Sequence, residues 1–269
     1  MKTQPDTTDW EVPAYETKEL APPRHSYCLV IPVLNEGKRF LRQLEILQPY
    51  VHEADLIIAD GGSTDGSTDP SQLKKFGVRT LLTKTGPGKL SAQLRMAYSY
   101  ALIQGYVGII TMDGNGKDGP EGIPIIKKAL SEGWDYVQGS RFRPGGKASN
   151  TPLMRHFANR YLHAPLLSIA AGYFWFTDTT NGFRGYSRRY LLDPRVKPFR
   201  EVFSRYELLA YLTVRASQIG LAVTEVPVSR SYPEGKVPTK ISAFWGNLDL
   251  LRTLFITITG GFTPKVSNA

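Results

Sequence analysis

The stretch GYVGIITMDGNGKDGPE, residues 105–121, decides the reading of this chain. Its apolar run from Val107 to Met112 is short, partly β-branched and bounded by glycine, as a buried strand is. The run ends on Asp113, Gly114 and Asn115, with Lys117 and Asp118 close behind, and glycine permits a sharp reversal there. Pro120 and Glu121 lead into residues 123–129, which read as the first turns of a helix with an acid at its positive end. A carboxylate and an amide oxygen two residues apart at a strand's end can grip a hard cation that also holds a diphosphate. A plain polar loop accounts for the same residues, so the loop alone leaves metal binding open.

The same grammar recurs upstream. SYCLVIPVLNEGKRFLRQLEIL gives a strand over residues 27–31, a turn with Pro32 and Asn35, and an amphipathic helix. ADLIIADGGSTDGSTD gives a strand over 56–59 and a polar glycine turn, and VRTLLTKTGPGKLSAQLRMAYSYALIQG gives a third strand, a glycine loop and a helix. Strands alternating with helices predict an α/β fold with a mostly parallel central sheet flanked by helices. Ligands of such sheets sit outside the carboxyl ends of the strands. Asn35, Glu36, Asp60, Lys89, Asp113 and Asn115 all fall at that edge.

The chain has 269 residues, enough for one large or two small domains, and a formal net charge of +9. That charge points to anionic partners, phosphates and nucleotides before nucleic acid, because no compact basic run with interleaved aromatics occurs. Cys28 is the only cysteine and sits in an apolar strand, which suits core packing. His25, His52, His156 and His163 lack metal-ligand spacing and read as surface or packing residues. No G-x-G-x-x-G follows the first strand, which disfavours a dinucleotide fold, and neither the P-loop of nucleotide hydrolases nor the nucleophile elbow of α/β-hydrolases occurs. Residues 1–25 lack an apolar signal core and are rich in Pro, Thr and acids, predicting a flexible arm. No run of about twenty apolar residues argues for a spanning helix, so a cytoplasmic protein is expected, with peripheral contact at the inner face of a membrane left open.

VIPVLNE (30–36), ADGGSTDGS (59–67) and MDGNGKDGPE (112–121) resemble the successive nucleotide-sugar motifs of family 2 glycosyltransferases of the GT-A fold. QGSRF (138–142), DTTNGFRGYS (178–187), residues 206–228 and RSYPEGKVPTKIS (230–242) resemble the dolichol-phosphate mannose synthase branch, so the likeness runs over residues 27–242. It implies a transferase domain over 26–240, followed by a C-terminal amphipathic helix and tail over 241–269. By position, Pro32, Leu34 and Glu36 would line the nucleoside side of the donor, and Ile58 and Asp60 would cradle the base. Lys89 would face the donor. Asp113, Gly114, Asn115 and Lys117 form the diphosphate loop, with Asp113 and Asn115 as ligands of a divalent cation, Mg or Mn. Asn115 departs from the family's second acid, which weakens the charge complement without abolishing coordination. Arg141, Arg155, Arg230 and Lys240 would meet the donor diphosphate and the phosphate of a polyprenyl acceptor; Asp178 would belong to the same acceptor side, and Asp178 and Glu207 would anchor loops or hold that basic cluster.

The implied reaction is inverting transfer of a sugar from a nucleotide-sugar donor. Arg141, Arg230 and Lys240, with the metal pair, are its expected catalytic groups. A phosphate acceptor is already anionic and needs little general base, whereas a glycan or lipid-linked hydroxyl would need a carboxylate within reach. The basic positions favour the lipid phosphate; a hydroxyl acceptor and a non-catalytic nucleotide-sugar binding protein stand as alternatives. Residues 241–262 suit a helix at a membrane surface, with Phe244, Trp245, Leu248, Leu251 and Phe255 as anchors, and equally a helix packed on the core or in a homo-oligomer interface.

Overall fold

The computed structural model describes residues 4–172, 174–233 and 245–264, and within 245–250 only the side chain of Asp249. The chain opens with β1 (Tyr15–Glu19), β2 (Tyr27–Val33), α1 (Lys38–Leu47), β3 (Asp55–Asp60), α2 (Pro70–Lys75), β4 (Val78–Lys84) and α3 (Leu90–Ile103). The middle holds β5 (Gly108–Thr111), α4 (Gly122–Ser131), β6 (Tyr136–Ser140), β7 (Lys147–Ser149), α5 (Leu153–Ala158), a π-helical turn (Asn159–His163) and α6 (Ala164–Ala171). It closes with β8 (Arg184–Ser187), α7 (Arg188–Leu192), α8 (Glu207–Gln218), β9 (Val223–Pro227), β10 (Ser229–Ser231) and α9 (Trp245–Ile258).

Eight strands form one sheet in the order β1-β4-β3-β2-β5-β8-β6-β9. The pairs β4–β3, β3–β2, β2–β5 and β6–β9 are parallel; β1 and β8 run against their neighbours. β2, β3 and β5 read as near-continuous apolar runs because both faces are covered. Alternation sends Cys28, Val30, Ile57 and Ala59 to one core, with α3 and α8, and Leu29, Ile31, Leu56 and Ile58 to the other, with α1 and α4. α3 is buried on all sides, from Ser91 to Leu102, which explains its small residues between tyrosines.

The N-terminal arm differs from expectation. β1 pairs antiparallel with β4, Trp10 stacks 4.0 Å from Phe199, and Arg95 donates to the Glu11 carbonyl. β4 would otherwise be an open sheet edge, and the arm's backbone satisfies it; composition cannot reveal that. At the other end α9 packs on α6 and α8, with Leu254, and Phe262 just beyond it, in the core, while Leu251 and Phe255 stay exposed. Phe244 and the side chains of Trp245 and Leu248 lie outside the described residues, as does Lys240.

Candidate active site

The site forms where β2, β3 and β5 end together. Gly114 N–H donates to the Pro32 carbonyl at 3.2 Å, and Gln43 ties the loop down, giving its amide to Asp113 O (2.8 Å) and accepting from Gly116 N–H (2.9 Å). A Cβ on Gly114 would sit 2.7 Å from that Pro32 oxygen, so only glycine lets the two strand ends close. One wall is the loop after β2: Asn35 Oδ1 accepts from Thr64 N–H at 2.8 Å, and Asp65 accepts from Gly37 N–H at 2.8 Å. Leu34 is exposed there, and Glu36 pairs with Arg39 at 2.9 Å.

Two donor-side expectations need correction. Ile58 is wholly inside the core, because its strand is covered on both faces, and cannot cradle a base. Asp60 is buried and spent on its own loop: Oδ1 accepts from Gly62 N–H (3.2 Å) and Ser63 N–H (2.8 Å), and Oδ2 from Thr68 (3.3 Å). Pro32 is likewise buried and contributes its carbonyl. Lys89 is exposed at the start of α3, its backbone N–H fixed to Ser204 O at 2.6 Å.

Opposite Asp113 stands Arg230, carried by β10. Its guanidinium donates to Asp113 Oδ2 at 3.0 Å and to Asp118 Oδ1 at 2.6 Å. Burial works against the Arg230 charge, yet the two carboxylates hold its pKa well above the usual arginine value. Burial pushes the Asp118 carboxyl up to about 6, with Arg230 opposing, and its Oδ2 has no hydrogen-bond partner. Two residues past Arg230, on the same side of the chain, Tyr232 gathers cations: Lys117 Nζ lies 5.1 Å from its ring centroid, Arg230 5.6 Å and Arg155 5.7 Å. Burial raises the Tyr232 phenol, but Arg230 and Arg141 outweigh it and bring it below its ordinary pKa. Burial and Arg230 lower that of Lys117. Three cations around one ring, beside the Asp113 loop, concentrate positive charge of the kind that attracts an anion.

Arg141 has another job. Its Nε and Nη2 grip Asp178 at 2.7 and 2.8 Å, and Nη2 also reaches Thr180 at 3.1 Å. Asp178 is fully buried and accepts from Asn159 Nδ2 at 2.9 Å; Glu225 accepts from the N–H groups of Thr177 and Asp178. Arg141, expected to meet phosphate, is instead buried and ion-paired with Asp178, with no ion pair to the Asp113 loop's carboxylates among the described residues, bracing that wall of cations from behind. Asp178 is that brace, not an acceptor contact. Glu207, the first residue of α8, accepts from Arg205 N–H at 2.7 Å and so ties down the loop that leads into the helix.

The residues present fit a divalent cation, though sparsely. Asp113 and Asn115 converge, with Asn115 Nδ2 3.4 Å from Asp113 Oδ2, and Gly182 lies so close to Asp113 that a Cβ would collide with the carboxylate. One carboxylate and one amide are a hard oxygen set of the kind that leaves most positions to water and diphosphate. No cluster of three or more acidic, His or Cys ligands occurs among the described residues.

Tyr232 and Asp118 escaped sequence reasoning. Their signal was available: Arg230 and Tyr232 are two apart in an extended strand and so share a face, and Asp118 sits in the diphosphate loop itself.

The fold is the GT-A fold seen in solved glycosyltransferases. Glucosyl-3-phosphoglycerate synthase from Mycobacterium tuberculosis, solved with Mn2+, UDP-glucose and phosphoglyceric acid, superposes with a TM-score of 0.64 over 89% of this chain and 81% of that one, at 18% identity. No family model matches the chain. In sequence it is similar to the polyprenol monophosphomannose synthase of Mycolicibacterium smegmatis, 27% identical over 77% of this chain and 78% of the relative. The undecaprenyl-phosphate mannosyltransferase of Micrococcus luteus is 29% identical over 74% and 81%. The UDP-N-acetylglucosamine–dolichyl-phosphate N-acetylglucosaminyltransferase of Methanococcus voltae is 24% identical over 77% and 86%. The resemblance read from the motifs is thus borne out: the homologues are polyprenyl-phosphate glycosyltransferases.

Proposed function

We propose that this chain is an inverting glycosyltransferase that moves a sugar from a nucleotide-sugar donor to a polyprenyl phosphate. The observation that carries the reading is the wall of Lys117, Arg155 and Arg230 around Tyr232, facing the Asp113 loop. A phosphate oxygen of the acceptor attacks the anomeric carbon as the bond to the nucleoside diphosphate breaks on the opposite face, which inverts the centre. Arg230 and Lys117 stand where the leaving diphosphate collects charge, and Arg155 where the incoming phosphate arrives. Asp113 and Asn115 would hold a divalent cation, Mg2+ or Mn2+, whose charge when bound stabilises the same leaving group.

The hydroxyl alternative needs a free carboxylate as base. Asp118, Asp178 and Glu225 are each buried and committed to partners, and Asp113 is paired with Arg230. That supports the phosphate acceptor, which needs no base. The test supplies the chain with nucleoside-diphosphate sugars of each base and a short-chain polyprenyl phosphate, with Mg2+, Mn2+ or chelator, and follows glycolipid and released nucleotide. Nucleotide binding without release under every pairing would leave the non-catalytic binder as the better reading. Release only with a hydroxyl acceptor would favour the glycan one.

A further inference from the structure

The segment between the cation wall and α6 has two unlike sides. Its inner side belongs to the site: Arg155 lies over Tyr232, His156 meets the Phe142 ring edge-on at 5.1 Å, and Asn159 donates to Asp178. Its outer side carries Leu153, Met154, Phe157, Tyr161 and Leu162, all exposed, Leu153 to 86% and Phe157 to 61%. Five large apolar side chains within ten residues are far more than scattered surface hydrophobics, and such a patch marks a contact surface. The Phe157 and Tyr161 rings pack against each other at a tilt, 4.8 Å between centroids, and both stay exposed.

Charge selects the occupant. Arg155, His156 and Arg160 interleave with the apolar residues, and no acid occurs from residue 151 to residue 177. Two copies of the chain meeting through this face would bring like charges together, which disfavours a symmetric dimer. Apolar anchors with interleaved arginine and tyrosine are the chemistry of a helix lying in the headgroup region of an acidic bilayer. No described helix is long and apolar enough to span one. The segment also solves a delivery problem. A polyprenyl phosphate has its charge at the membrane surface and its tail inside, and here one short helix sets Arg155 on the site while its apolar face points outward.

We propose that α5 and its π turn are a membrane-docking face, by which the protein lies on an acidic lipid surface with its cation wall at headgroup level. The proposal rests on the lipid-phosphate reading for its purpose, but docking itself is tested by vesicle binding, and transfer is assayed separately so that the two readings can fail independently. Full-length protein is sedimented with vesicles of phosphatidylcholine alone or of an equal mixture with phosphatidylglycerol. Wild type should bind the acidic vesicles preferentially and be released by salt. Leu153→Ser/Phe157→Ser, checked for folding by its thermal transition, should lower partitioning at least about tenfold. Arg160→Gln should lower it roughly fivefold on acidic vesicles and leave neutral ones unaffected. A folded double variant that partitions like wild type overturns the proposal, as does a wild type that ignores vesicles and instead dimerises through this face. Acidic-vesicle binding that depends on Leu153 and Phe157, without sugar transfer, supports the docking face while removing the lipid-phosphate reading; transfer to a short-chain acceptor without vesicle binding does the reverse.

Discussion

Arg230 has two duties that one experiment can separate. It neutralises Asp118, whose side chain is fully buried, and in the proposed reaction it presents charge to the diphosphate from beside Asp113, with which it is also paired. Arg230→Ala leaves Asp118 with neither oxygen partnered, since Oδ2 has none already. Breaking a buried pair from one side costs about 3–5 kcal/mol. Protonation of Asp118, already pushed up to about 6, moderates that toward the lower figure near neutral pH. The lost contact to phosphate is worth roughly 1.5–3 kcal/mol, or on the order of ten- to a hundredfold in transfer. Adding Asp118→Asn removes the stranded charge, so the double variant should regain most of the stability and none of the rate. Chemical denaturation gives the first quantity and steady-state transfer to a short polyprenyl phosphate the second. Arg230→Lys should rescue transfer only in part, since the fork that bridges two carboxylates is lost. If Asp118→Asn/Arg230→Ala recovers both stability and wild-type turnover, Arg230 is a structural counter-ion only and the reasoning fails.

Asp113→Ala should lower transfer by at least about a hundredfold, because it removes the only charged ligand of the metal pair. Asn115→Asp should tighten Mn2+ on the order of tenfold in calorimetry with nucleoside diphosphate present, since it adds a second carboxylate. Asp178→Ala strands the buried Arg141 guanidinium and should cost about 3–5 kcal/mol in urea unfolding, which a solvated surface pair would not. His163 gives a pH signature: burial lowers its pKa from 6.5 to about 4, so the unfolded chain takes up its proton first as pH falls. Stability should therefore drop between about pH 6.5 and 4, by up to about 3 kcal/mol from this group, and His163→Gln should flatten that part of the melting-temperature profile.

What the sequence disclosed follows from how local each feature is. β2, β3 and β5 were legible because strands buried on both faces are continuous apolar runs; Asp113 and Arg230 stood out because they sit in compact motifs, and the structure brings the two side chains together. The role of Arg141 was not, because its partner Asp178 is 37 residues away and the motif shows a cation without showing that it is already paired. Asp118 and Arg230 meet across 112 residues, a contact set by β10 lying beside the diphosphate loop. Ile58 and Asp60 were placed by analogy of position; burial, which no local pattern gives for a residue at a strand's end, decides against their ligand roles. β1 was unreadable for the opposite reason: its YETKE has the composition of a tail, and only the open edge of β4 makes it a strand.

The π turn at Asn159–His163 sets the phase between the two helices it joins. A π turn holds one residue more than the α-helical path would, and each residue turns a helix by about 100°. Excising a single residue there, letting α5 and α6 run on as one regular helix, would rotate all of α5 by that angle relative to the core. Leu153 and Phe157 would swing around the barrel of the helix, Arg155 would leave Tyr232, and Asn159 would lose Asp178. No side chain would have been mutated, yet the lipid-facing and phosphate-facing halves of the segment would both be misaimed. The extra residue works as a fixed dial, and its length, more than its chemistry, is what this part of the chain has to keep.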